Sequence, residues 1–352
     1  MHPPLGVSRL VAFTLALTVA ACGGGSSAMT EQPDVTPANA ACTIFPADNA
    51  WNTDISGSPV HPESEAFMSR LALTWRLSFS PNLPVNLIDS QRDHVPFVPI
   101  IYTQDGGDPG PMPIPADARY HVKDSTRLVL DDNHLVLVDT AGCKLYELWS
   151  VKGPNPDGSW TVGSGAIFDL TSNDLRPDRV ASSAASGLPV YAGIARANEV
   201  RSGVIRHALS IPATLTQQGF IRPATNWQSD ATYLTKLPLA CGQPGFGFPT
   251  LCNQVLAGTF VYSDPNNAPM GLRLRLKASF DISGYTGEVR ILLQAVKSYG
   301  LLVSDGSGTA GMLRGEKVAD PTAWDWSPAI GSQLATVPAT AFEVVATGGI
   351  LH

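Results

Sequence analysis

Cys143-Lys-Leu-Tyr-Glu-Leu-Trp149 reads as a strand: Cys143, Leu145, Glu147 and Trp149 share one face, and Lys144, Tyr146 and Leu148 share the other. The segments around it have the same character. Phe97–Tyr102, Leu135–Asp139, Ala166–Leu170, Val204–Ile211, Thr259–Tyr262, Leu272–Phe280 and Phe342–Val345 are short and apolar. Turn-forming clusters bound them, among them Asp105-Gly-Gly-Asp-Pro-Gly-Pro111, Pro154-Asn-Pro-Asp-Gly158 and Asp264-Pro-Asn-Asn267. Helical spacing is confined to Pro62–Leu73 and Glu288–Tyr299, with Gly300 at the stop position of the second. The expectation is a mainly β (α+β) chain: a large antiparallel β-sandwich or jelly-roll-like domain with a few helices.

The N-terminus sets the compartment. Arg9 precedes the apolar run Leu10–Ala21, which ends Val19-Ala-Ala-Cys22 and leads into Gly23-Gly-Gly-Ser-Ser27. A basic start, an apolar stretch of about a dozen residues and small residues at its end describe an export signal. The run is shorter than the roughly 20 residues that span a bilayer. The cysteine after small residues has the form of a bacterial lipobox, so Cys22 is the expected lipidation site. The division is then a signal over 1–21, a flexible tether over 22–41 and one globular domain over 42–352. Localisation follows: exported, lipid-anchored to the cell envelope, and touching the membrane through that lipid alone.

Removing residues 1–21 leaves 22 basic against 30 acidic side chains, a net charge of −8. Such a balance argues against nucleic acid, which calls for clustered Lys and Arg. Cys42, Cys143, Cys241 and Cys252 remain, an even number suited to two disulfides in an oxidising compartment. Three pairings exist; Cys42–Cys143 and Cys241–Cys252 are favoured. Metal-ligand spacing, phosphate-cradling loops and a GxSxG frame are absent from the sequence, so no cofactor or metal is implied.

The candidate chemistry lies in polar groups on apolar faces. Glu147 is one, and a desolvated carboxylate there would serve as a general acid. Asp169 within Ile167-Phe-Asp-Leu170 follows the same rule, and the two could form the carboxylate pair of a glycosidase. His134 shares a face with Val136 and Val138, and His207 with Ile205, Leu209 and Ile211. In Met270-Gly-Leu-Arg-Leu-Arg-Leu-Lys-Ala-Ser-Phe-Asp281, alternation sets Arg273, Arg275 and Lys277 in a cationic stripe. With Arg206, that stripe is the candidate contact for an anionic substrate. Trp149, Trp160, Tyr191, Trp227, Tyr233, Trp324 and Trp326 are candidates either for stacking on sugar rings or for packing loop ends.

Several of these segments together resemble a largely uncharacterised family of exported bacterial (lipo)proteins. The residues that carry the resemblance are Phe45-Pro-Ala-Asp-Asn-Ala-Trp-Asn-Thr-Asp-Ile-Ser56, Asp108-Pro-Gly-Pro-Met-Pro-Ile-Pro115, Cys143–Leu148, Gly187-Leu-Pro189, Ile205-Arg-His-Ala-Leu209 and Met270–Ser283. It runs from about Cys42 to Asp305; the stretch around Cys241–Cys252 is particular to this chain. The resemblance implies an exported domain and brings no catalytic residues.

The sequence therefore points to a monomer acting on extracellular polysaccharide as a glycoside hydrolase or polysaccharide lyase. In a hydrolase, Glu147 is the acid and Asp169 the base or nucleophile. In a lyase, Arg273 and Arg275 neutralise a uronate and His207 takes the proton, with Tyr146 or His134 as partner. The alternative is a non-catalytic glycan-binding or envelope surface lipoprotein.

Overall fold

Lys144–Trp149 forms the strand that its alternation predicts, at the centre of a five-stranded sheet. The computed structural model describes residues 42–121, 132–228, 241, 248–261, 264–307 and 310–352. The export signal, Cys22, the tether and Tyr233 lie outside the described residues. Across the sheet the order is Val85–Ile88, His134–Asp139, Lys144–Trp149, Trp160–Asp169, Ile100–Gly107. The three inner strands pair antiparallel and the two outer ones add in parallel. A second sheet runs Phe342–Val344, Arg273–Leu276, Leu301–Gly306, Leu209–Ala213. Trp75–Leu83 pairs in parallel with Ala310–Glu316, and Thr216–Phe220 with Ala268–Met270. All of this belongs to a single compact unit, Pro37–His352.

Strands outweigh helices, as expected, but the pairing is mixed rather than antiparallel. Parallel neighbours need long crossovers, so their partners come from distant parts of the chain. Trp75 lying beside Ala310 is such a case; no turn signal between neighbouring strands encodes it. Two strands are also shorter than their apolar runs. Val204–Ile211 becomes strand only from Leu209, so His207 precedes the strand whose alternation was meant to orient it. Leu272–Phe280 is strand only over Arg273–Leu276.

The central sheet is buried on both faces. Val136, Val138, Leu145 and Phe168 enter the main core, which also takes Val289, Leu292, Leu293 and Val296 of the helix Gly287–Ser298. Leu135, Leu137, Tyr146 and Leu148 pack in a second core with Met112, Ile114 and Trp160. Tyr146 thus faces away from Glu147 and cannot partner a base on the other side. The helix Ser64–Ala72 buries Phe67, Met68 and Leu71. Gly300 ends the longer helix at φ +78°, where a Cβ would run into the Leu274 carbonyl.

The cationic stripe is a structural clamp, not a ligand surface. Alternation holds over Arg273–Leu276, and Leu274 and Leu276 enter the core. The arginine side is covered too, by the segment 50–58: Arg273 and Arg275 are 3% and 7% exposed. Arg273 donates to the carbonyls of Ala50, Thr53 and Tyr299, and burial brings its pKa down to about 10. Arg275 donates to the carbonyls of Ile55, Ser56 and Ser58 and to Glu343 Oε1 at 2.7 and 2.8 Å. Lys277 Nζ donates to the Thr340 carbonyl at 2.9 Å. Arg275→Ala should therefore strand Glu343 and three carbonyls and cost about 3 kcal/mol or more, read as a lowered urea midpoint; an unchanged midpoint would contradict the clamp.

Both favoured disulfides form, Cys42–Cys143 and Cys241–Cys252, with Cα–Cα distances of 5.4 and 5.1 Å. Their sequence separations are 101 and 11. Loop-closure entropy makes the longer crosslink worth about 2 kcal/mol more than the shorter. Cys42→Ser/Cys143→Ser should lower the melting temperature by more than Cys241→Ser/Cys252→Ser in side-by-side thermal unfolding.

Candidate functional site

A polar cleft of about 790 Å³ opens where the two larger sheets and the strand Ala310–Glu316 contribute residues, and two aspartates line it, Asp132 and Asp305. Asp132 arrives from the approach to His134–Asp139, Asp305 from the end of Leu301–Gly306, and Arg314 from Ala310–Glu316. Ser182, Ser183, Ala184 and Ala185 line it from the loop that follows the central sheet.

Asp305 owes its direction to an irregularity. The register against Leu209–Ala213 shifts between Val303 and Asp305, and a bulge of this kind re-aims the side chain that follows it. Burial lifts the Asp305 pKa to about 6; the Asp132 charge pushes the same way, while Arg314 and the Gly306 and Ala185 N–H groups pull it back. The Gly306 N–H donates to Oδ1 at 2.8 Å.

Asp132 is held in the opposite state. Burial opposes its charge, but His134, Arg314 and Trp149 outweigh it and keep its pKa well below the usual carboxylate range. Trp149 Nε1 donates to Oδ1 at 3.0 Å. His134 Nε2 lies 3.4 Å from Oδ1, and Arg314 Nη2 lies 3.9 Å from Oδ2. Burial lowers the His134 pKa, while the Asp132 carboxylate pulls it back up. The cleft thus holds two acids in different states, one with its pKa raised to about 6 and one held well below the usual carboxylate range.

The expected site residues scatter. His134 adjoins the cleft through Asp132. Glu147 is wholly buried: Oε2 accepts from Ser183 Oγ at 2.8 Å and the Val190 N–H at 2.9 Å, and Oε1 accepts from the Tyr191 N–H at 2.7 Å. It anchors the loop that lines the cleft and reaches no ligand itself. Asp169 sits at the surface, bonded to Lys144 Nζ at 2.6 Å and to Thr171, which hold its pKa far down. His207 is enclosed by the Ala208 carbonyl at 2.7 Å and Glu199 Oε2 at 3.1 Å. Burial works against the Glu199 charge, but Arg196 and His207 hold its pKa at about 2. Arg206 is exposed and does not line the cleft.

The aromatic rings also serve differently. Trp149 spends its N–H on Asp132 and lies over Gly163, where a Cβ would fall 2.6 Å from the ring. Trp227 is stacked on Phe220 at 6.0 Å on one contact and carries the Arg179 guanidinium on another. Neither offers sugar an open face for stacking.

Sequence reasoning missed Asp132, Asp305, Arg314 and Arg179. A local signal existed for Asp305, which opens the turn Asp305-Gly-Ser-Gly308 directly after the apolar run Leu301-Leu-Val303. An acid at the end of a fully apolar strand is where a polar cleft can meet the core. No family model, curated protein or solved structure matches the chain.

The Asp305 shift predicts a stability slope. An acid whose pKa rises on folding holds its proton more tightly in the folded chain than in the unfolded one. The folded state is thus favoured at acidic pH, and that advantage fades as pH climbs from 3.8 to about 6. Asp305→Asn should flatten this part of the curve of urea midpoint against pH; an unaltered slope would place the raised pKa elsewhere.

Proposed function

We propose that this chain cleaves glycosidic bonds in extracellular polysaccharide, with Asp305 as general acid and Asp132 as its ionised companion. The observation that carries the reading is the pair itself: one carboxyl lifted to about 6 beside one held ionised, in a cleft large enough for a sugar. Asp305 gives its proton to the glycosidic oxygen as the C–O bond breaks. Asp132 stabilises the cationic sugar, either as nucleophile or by taking a proton from the attacking water. Water supplies the hydroxyl to the sugar, and the remaining proton restores Asp305. His134, Trp149 and Arg314 position Asp132 and keep it charged.

The export signal and lipobox support a place at the cell envelope, with lipid on Cys22. The two disulfides fit the same compartment. Among the described residues no helix is long and apolar enough to cross a membrane.

The test is release of reducing ends from a panel of neutral and anionic polysaccharides by the chain without its export signal. On the polymer that is cut, Asp305→Asn and Asp132→Asn should each lower kcat by about 10²–10⁴-fold. Activity should fall as pH rises past about 6. Retention on one glycan with no new ends would assign the cleft to binding without turnover. New unsaturated ends absorbing in the ultraviolet would make the reaction an elimination.

A further inference from the structure

We infer that Arg179 is an anion-recognition residue at the mouth of this cleft, so that the glycan it takes carries carboxylate or sulfate groups. The inference rests on the glycan reading above and names its substrate class. It also moves the anion-binding role away from Arg273 and Arg275, whose donors are spent on backbone carbonyls.

Three observations single out Arg179. It lines the cleft and is exposed. Among the described residues no carboxylate pairs with it, while the neighbouring Asp178 is taken by Arg222 in a two-pronged bond at 2.6 and 2.9 Å. Its guanidinium is nevertheless not loose, for it lies over the Trp227 ring, which is itself stacked on Phe220. A stacked guanidinium keeps its edge donors available in a fixed plane, the geometry for two-pronged bonding to carboxylate or sulfate.

The backbone supports the same reading. Arg179 holds φ +70°, a left-handed conformation unusual for a residue with a side chain. Its N–H donates to the Thr225 carbonyl at 2.8 Å, which ties the strained residue to the segment bearing Trp227. Strain of this kind persists where surrounding structure fixes it, commonly at ligand sites. Electrostatics adds a reason. Asp132 would repel an anionic polymer from the cleft of an already acidic chain, and Arg179 together with Arg314 offsets that repulsion where the polymer enters.

The test uses polymer pairs that differ in charge alone: polygalacturonate against its methyl ester, and dextran sulfate against dextran. Affinity is measured on Asp305→Asn so that turnover does not intervene, with and without Arg179→Gly. Glycine adopts φ +70° without strain, so this change removes the guanidinium without disturbing the backbone; a melting curve checks the fold. The expected result is at least tenfold tighter binding of the charged member of one pair, reduced to within about twofold by Arg179→Gly and partly restored by Arg179→Lys. Which pair responds separates carboxylate from sulfate. Equal binding of charged and neutral members, or a preference that survives Arg179→Gly, would overturn the inference while leaving the glycan reading intact. Arg179-dependent binding of polyglutamate with no binding of any glycan would uphold the anion site and overturn the glycan reading. Binding of none of these polymers would overturn both.

Discussion

The arrangement around the cleft depends on one buried carboxylate. Glu147 stands in the middle strand of the central sheet and joins it to the 183–191 loop through three hydrogen bonds. A charge in an apolar interior is costly unless every lone pair is met. Burial raises the Glu147 pKa, while the N–H groups of Tyr191 and Val190, the Ser183 hydroxyl and the nearby Arg176 favour the ion. Arg176 is fixed in turn by two bonds to Asp108 at 2.6 and 3.1 Å. An alanine at 147 would leave two backbone N–H groups and a hydroxyl without partners inside the core, and the loop that brings Ser182–Ala185 to the cleft would lose its anchor.

The same economy of charge recurs elsewhere. Arg273 and Arg275 turn inward to satisfy carbonyls of the segment 50–58, which has no strand of its own. Arg196 Nη2 pairs with Glu199 Oε1 at 2.6 Å, and His207 Nε2 lies 3.1 Å from Glu199 Oε2. The charged residues that line the cleft come from elsewhere: Asp132, Arg179 and Asp305 from loops or a strand's end, and Arg314 from within the strand Ala310–Glu316. In this lightly charged chain, then, Glu147, Arg273, Arg275 and His207 are internal fasteners.

Much of the local structure was legible. Alternation located Lys144–Trp149 to the residue, helical spacing located Gly287–Ser298 to within one, and Gly300 marked its end. Alternation also paired the right residues on each face, so Glu147 does lie with Leu145. What it could not show was that both faces of this sheet are covered, so that a polar residue on either one is buried and bonded rather than offered to a ligand. Asp132 and Asp305 stood outside the pattern because neither sits within an alternating run, and the bulge that aims Asp305 is a property of its pairing with Leu209–Ala213.

The sequence by itself determined that the chain is rich in strands, where its longer helix stops, and which cysteines could close loops within it. These follow from contacts a few residues apart or from simple counting. The tertiary structure decided which strands run in parallel, which arginines are hidden and which acids meet. Arg275 is capped by carbonyls some 220 positions away, and Asp305, at the end of a strand of one sheet, feels the charge of Asp132 from the approach to a strand of another. Periodicity fixes the direction of a side chain; whether that direction leads to water, to a partner or to a ligand depends on the layer laid across it.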